Sequence, residues 1–368
     1  MKRVAYLDTV RVFSSLLVIV SHYIICFEQF DFPVMREFFF HVGKVGVILF
    51  FAISGYLVNK SLARSSSLWN FYKWRAVRIC VPFAASYFVL GSALMILAIL
   101  EPSLSDYSPF MKALYKEGFP KILLAAIPHD VNLTTYFGLG AGVFVGEWFI
   151  GTIIWLYLLA PPLSKLIRRA PLVTFAASIL ISLGTFYATE DLDAAGKIIC
   201  GWWLFPARLP EFLLGMILAV HKDFFEINRR KFFPIILLWT VAAAAVLLVR
   251  SDCPSLWYRL YPESPPSLLM SLPTIYLFFL FAEFVNEKFP NALEKFNGFA
   301  GVSYISMLIQ HIIIFIVADR LDLQNLQTFG LVYILFLITV LIVYTSRFIK
   351  TFSDSLENYF LKRKGAIV

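Results

Sequence analysis

"YLDTVRVFSSLLVIVSHY", residues 6–23, reads as the start of a membrane helix that carries an Arg near one end and a His near the other. An α-helix turns about 100° and rises about 1.5 Å per residue. The eleven steps from Arg11 to His22 therefore amount to three turns plus about 20°, and about 16 Å of rise. The two side chains share one face. One reading is that Arg11 snorkels to the interface while His22 packs near the opposite end. The other is that both line a cavity, because ionisable groups inside a bilayer are costly and mark functional sites.

The rest of the chain repeats the apolar theme. Of 368 residues, 60% are hydrophobic and 15% charged, and the mean hydropathy is +0.76, which excludes a soluble domain. Runs long enough to span a bilayer core are predicted at 10–27, 42–58, 79–100, 148–167, 170–189, 202–220, 232–249, 268–285, 300–317 and 328–347. They give an all-α integral membrane protein of about ten helices, with one transmembrane domain over 1–350 and a short tail at 351–368. The basic N-terminus leads into an apolar run without a small-residue cleavage site before "CFEQF", so the first helix is read as uncleaved.

The formal charge of +8 raises nucleic acid as a partner, but no nucleic-acid motif is present and the positive-inside rule accounts for the excess. Most of the Lys and Arg residues fall on alternate connections: Lys2, Arg3 and Arg11; Lys60 to Arg78; Lys165 to Arg169; Lys222 to Lys231; Lys288 and Lys295; Arg347 to Lys364. An even number of spans with both termini cytoplasmic follows. The four cysteines, Cys26, Cys80, Cys200 and Cys253, have neither metal-ligand nor C-x-x-C spacing. Cys200 and Cys253 are left open between a pair on the outer face and free packing residues. Residues 101–147, with a short apolar piece and glycines at 138, 140, 142 and 146, are too weakly apolar for a span. They read as an outer-face loop that dips into the protein.

Several segments together point to a family. "YLDTVRVFSSLLVIVSH" resembles the opening of the acyltransferase 3 family, with its basic residue and a His after ten more. "GVILFFAISGYLV" (46–58) is similar to the second-helix motif, through Phe50, Phe51, Ser54 and Gly55. "WRAVRICVP" (74–82) is similar to the basic motif before the third helix. "EWFIGTIIWLYLLAPPL" (147–163), "ARLPEFLLGMILA" (207–219) and "VSYISMLIQHIII" (302–314) follow in the family's order. The chain departs from the pattern at Ile153, where many members carry Glu, at Ile48, where Asp is common, and at Gln310, where His is usual and His311 comes next. No catalytic role is carried to Glu147 or His311.

The resemblance implies transfer of an acyl group, acetyl above all, from cytoplasmic acyl-CoA to a hydroxyl of a cell-surface glycan or lipid-linked sugar, in a bacterial inner membrane. It implies no permanently bound cofactor and no metal. Guanidinium groups bind phosphate through forked, charge-assisted hydrogen bonds, so Arg75 and Arg78, one turn apart, are candidates for the coenzyme A phosphates, together with Arg11. His22 suits proton transfer near neutral pH, with a covalent acyl-His intermediate left open. Asp8 stands three residues before Arg11 as an orienting partner.

Arg208 and Glu211, also three apart, are either a structural pair or part of an acceptor site. Trp148 and Tyr304, with Trp202, Trp203 and Trp257, either stack on sugar rings or form an interfacial belt. Ser54 reads as a helix-packing hydroxyl. The rival reading is a multi-spanning transporter with His22, Arg208 and Glu211 along a path for a proton or an anion.

Overall fold

The structure, a computed structural model, describes residues 5–26, 33–103, 145–194, 201–221, 231–239, 241, 267–321 and 328–362. Among them the α-helices are α1 (Ala5–Ile25), α2 (Pro33–Leu62), α3 (Leu68–Leu100), α4 (Glu147–Arg169), α5 (Pro171–Ala194), α6 (Leu209–Val220), α7 (Ser267–Lys288), α8 (Pro290–Asn297), α9 (Ser303–Arg320) and α10 (Thr328–Lys362), with a further helical run at 231–239. No strand occurs among the described residues. Seven of these helices are long and apolar enough to cross a membrane: α1 to α5, α9 and α10. The chain is an integral membrane protein.

Two boundaries differ from those the apolar runs predict. The connection drawn at 59–78 shrinks to a few residues, because Ser67 caps α3, its hydroxyl accepting from the Asn70 backbone N–H at 3.1 Å. Arg75 and Arg78 therefore stand on α3 itself. The span drawn at 202–220 is not one helix. Short 3-10 turns at Gly201–Trp203 and Phe205–Arg208 precede the 12-residue α6. Pro206 and Pro210 explain the break, since a proline has no N–H to donate and fits only at a helix start. Half of 232–249 and nearly all of the 101–147 segment lie outside the described residues, as do Cys200 and Cys253; Cys26 and Cys80 are free thiols. The last helix, α10, continues to Lys362. At about 1.5 Å per residue it is about 52 Å long, more than the roughly 30 Å of a bilayer core.

Prolines inside helices leave carbonyls without their usual partner. Pro162 in α4 frees the carbonyl of Leu158, and the Tyr72 hydroxyl of α3 donates to that oxygen at 3.0 Å. In lipid such a repair is required, because no water is at hand to replace it.

The core forms around α2. Gly43 and Gly46 let it press against Ser21 and the Ser14 carbonyl of α1, while on its other side Ala52 and Gly55 meet Gly215 and Phe212 of α6. A Cβ on Gly215 would overlap the Ala52 carbonyl oxygen, and one on Gly55 the Phe212 carbonyl. Helices in membranes approach this closely through small residues. We expect Gly215→Leu to cost roughly 3 kcal/mol or more through overpacking, seen as a lower unfolding midpoint in detergent. Gly184→Ala, with open space around its Cβ, is the matched control and should be neutral or stabilising.

Candidate active site

Three polar contacts tie α1 to α9 and to the chain just before it. The Thr9 hydroxyl donates to Asn297 Oδ1 at 2.7 Å, and the Ser15 hydroxyl donates to the Ser303 carbonyl at 3.1 Å. The Gln310 amide lies 3.1 Å from His22 Nδ1. Every pair is 288 residues apart, so α1 and α9 rise in parallel at a constant register. Asn286 of α7 completes the lower contact, its amide donating to the Thr9 hydroxyl at 2.7 Å while its Oδ1 accepts from Asn297 at 3.1 Å.

His22 is half-buried near the end of α1. Its Nδ1 lies 3.0 Å from the Val18 carbonyl one turn back. The rings of His311 and Phe315 stand beside it, with centroids at 6.2 and 6.4 Å, and at 6.0 Å from each other. Because α1 is unbroken from Ala5 to Ile25, Arg11 lies about 16 Å down the same face. Arg11 pairs with Asp8 at 3.8 Å, in the i, i+3 relation its sequence position suggests.

Arg75 and Arg78 have different surroundings. Arg75 turns towards α2 and α4, donating through Nη2 to the Leu57 carbonyl at 2.9 Å and lying over the Tyr157 ring at 5.2 Å. Arg78 is exposed and lies over Trp74, 5.7 Å from its centroid. Tyr304 of α9 joins this stretch of α3, its hydroxyl donating to the Ile79 carbonyl at 3.2 Å. Pro82 lies inside α3 just beyond, where it leaves the Arg78 carbonyl without a helical donor.

A second polar group lies at the start of α6. Arg208 and Glu211 form an ion pair at 2.9 Å and are each only 1% exposed. Glu211 stands in the first helical turn, where the helix dipole favours a carboxylate, and the guanidinium lies over the Phe51 ring at 5.9 Å. Trp148, at the start of α4, stacks on Trp203 with centroids 5.2 Å apart and planes 14° from parallel. The Thr152 hydroxyl donates to the Trp203 carbonyl and Ser182 to that of Ala207, so the 3-10 turns are held from both sides. Trp257 lies outside the described residues, as does the side chain of Trp202.

The structure thus brings His22 to Gln310 and His311, Trp148 to Trp203, and Tyr304 to the arginine stretch of α3. Reading the sequence missed Gln310 as a partner of His22; its signals were a lone amide in the apolar run of α9 and its place where the resembled family usually has His. It also passed over Lys44, 7% exposed on α2, beside the Gly43 that packs on Ser21; a cation buried at membrane depth is itself a signal of function.

Comparison with known proteins gives two matches. Residues 4–347 fit the model of the acyltransferase domain family, acyltransferase 3. The chain is 27% identical over 244 residues to the O-acetyl transferase of Shigella phage Sf6, an alignment that covers 65% of this chain and 69% of that protein. No solved structure matches the chain.

Proposed function

The chain belongs to this acyltransferase family, and on that premise we propose that it moves an acetyl group from cytoplasmic acyl-CoA to a hydroxyl of a cell-surface glycan or lipid-linked sugar at the outer face of a bacterial inner membrane. Both termini are then cytoplasmic. The observation that carries this reading is the single face of α1, which holds Arg11 at one level and the half-buried His22 about 16 Å along it.

In this scheme the donor phosphates rest on Arg75, Arg78 and Arg11, whose fixed charges suit phosphate at any working pH. His22 takes the proton of the acceptor hydroxyl as its oxygen attacks the thioester carbonyl. The carbon–sulfur bond breaks, the coenzyme A thiolate leaves, and His22 returns the proton to sulfur. Trp148, backed by Trp203, offers a flat face to the acceptor sugar. Arg208 and Glu211 support that wall, and Tyr304 lines the passage between donor and acceptor. The acetyl group is favoured by the phage relative, which is named as an O-acetyl transferase.

The direct test is to incubate the purified full-length protein with acetyl-CoA and envelope glycans and follow free thiol. Thiol release that requires the glycan is the expected result. A transporter releases none, and that outcome would remove the enzyme reading. Within the same assay, Arg75→Ala and Arg78→Ala should each raise the donor KM about tenfold or more, from loss of a charge-assisted contact of about 1.5–3 kcal/mol. Acceptor KM should hardly move. An unchanged donor KM in the folded double variant would reduce the two arginines to topology signals.

A further inference from the structure

We propose that Gln310 is a positioning residue that fixes His22 with its proton on Nδ1, leaving Nε2 as the atom that accepts the proton of the acceptor hydroxyl. The inference rests on the acyl-transfer reading above.

The Val18 carbonyl lies 3.0 Å from His22 Nδ1. A carbonyl oxygen only accepts, so a bare lone pair on Nδ1 would face another lone pair. Nδ1 therefore carries the hydrogen. The atom of Gln310 that lies 3.1 Å from the same nitrogen then has to accept as well. The two ends of a primary amide have nearly the same shape and are told apart only by their hydrogen bonds. Turned over, the amide brings Oε1 onto Nδ1–H and puts its NH2 where Oε1 stood, a place without a hydrogen-bond partner among the described residues in either orientation.

Two consequences follow. The neutral ring has its basic lone pair on Nε2, for which the described residues supply no hydrogen-bond partner. When Nε2 takes a proton, the ring becomes a cation whose Nδ1–H points at two oxygens, and hydrogen bonds to a charged donor are roughly twice as strong as neutral ones. Val18 belongs to the same helix as His22 and moves with it. Gln310 reaches from α9 and so fixes the ring's rotation against the facing helix.

The test uses the full-length protein with nitrogen-15-labelled histidine in lipid nanodiscs, the His22 signals being assigned by their loss in His22→Gln. The wild type should show His22 protonated on Nδ1 and bare on Nε2. Gln310→Leu should show a mixture of tautomers and a kcat lowered about 10–100-fold, the scale known for groups that orient metal-ligating histidines, with both KM values little changed. Gln310→Glu, which keeps an oxygen at that place, should restore the single tautomer and most of the turnover. The proposal is overturned if the wild type carries its proton on Nε2, or if folded Gln310→Leu keeps one tautomer and wild-type kcat. If the wild type transfers no acyl group to any glycan offered, the functional reading falls, and the spectra alone still decide whether Gln310 sets the tautomer.

Discussion

Replacing His22 with Gln is expected to lower turnover by about 10²–10⁴, the usual contribution of a positioned general base, while donor binding and membrane insertion stay near wild type. Gln is the sharper substitution because it keeps polarity and approximate size but does not exchange a proton near neutral pH. His22 lies at the end of α1 with its ring against α9, while its neighbour Ser21 makes the close contact with Gly43 of α2. Loss of the His22 ring should therefore leave the bundle intact. The measurement is single-turnover transfer from acetyl-CoA in protein shown to be folded. Near wild-type turnover would make His22 a packing residue and would bring the transporter reading forward.

The second large effect concerns the ion pair at the start of α6. Arg208 and Glu211 are each 1% exposed and 2.9 Å apart, so Glu211→Ala takes from a buried guanidinium the carboxylate it pairs with. Breaking one side of a buried pair typically costs about 3–5 kcal/mol. The double variant Arg208→Met, Glu211→Leu should recover much of that loss, because replacing both ions with apolar groups of similar volume is often close to neutral. Unfolding midpoints in detergent across the mutant cycle give the coupling. A single variant as stable as wild type would show that water reaches the pair. Acceptor KM in the folded double variant then separates the two roles: a large rise places the pair in the acceptor site, and no change makes it a structural fastening for α6.

What was legible in the sequence follows the range of each interaction. Apolar runs located the seven membrane-length helices found among the described residues, because burial in lipid is decided residue by residue along the chain. The Arg208–Glu211 and Asp8–Arg11 pairs were visible because both span one helical turn. Helix starts were harder. The Ser67 cap that carries α3 back past Arg75 competes with a charged stretch that reads as a loop, and hydropathy follows the charge. The broken start of α6 had its signal in Pro206 and Pro210, which an average over a whole span hides. Gln310 was out of reach for a different reason. Its meaning lies in a contact with a residue 288 positions away, and no local pattern records which face of α9 meets α1.

That same separation shapes how the protein is made. The chain emerges from the ribosome at about 5–20 residues per second, so α1 enters the membrane roughly 15–60 s before α9 is complete, given the 288 residues between their contacts. During that interval Thr9, Ser15 and His22 have only the carbonyls one turn back on their own helix, those of Ala5, Arg11 and Val18, and polar groups with part of their hydrogen bonding unmet are costly away from water. The first helix of this protein is thus a waiting element, kept competent by α2, whose glycines close on it early, or by the insertion machinery. Chains cut short before Ser303 should leave α1 exposed to membrane quality control, however well the helices already made have packed.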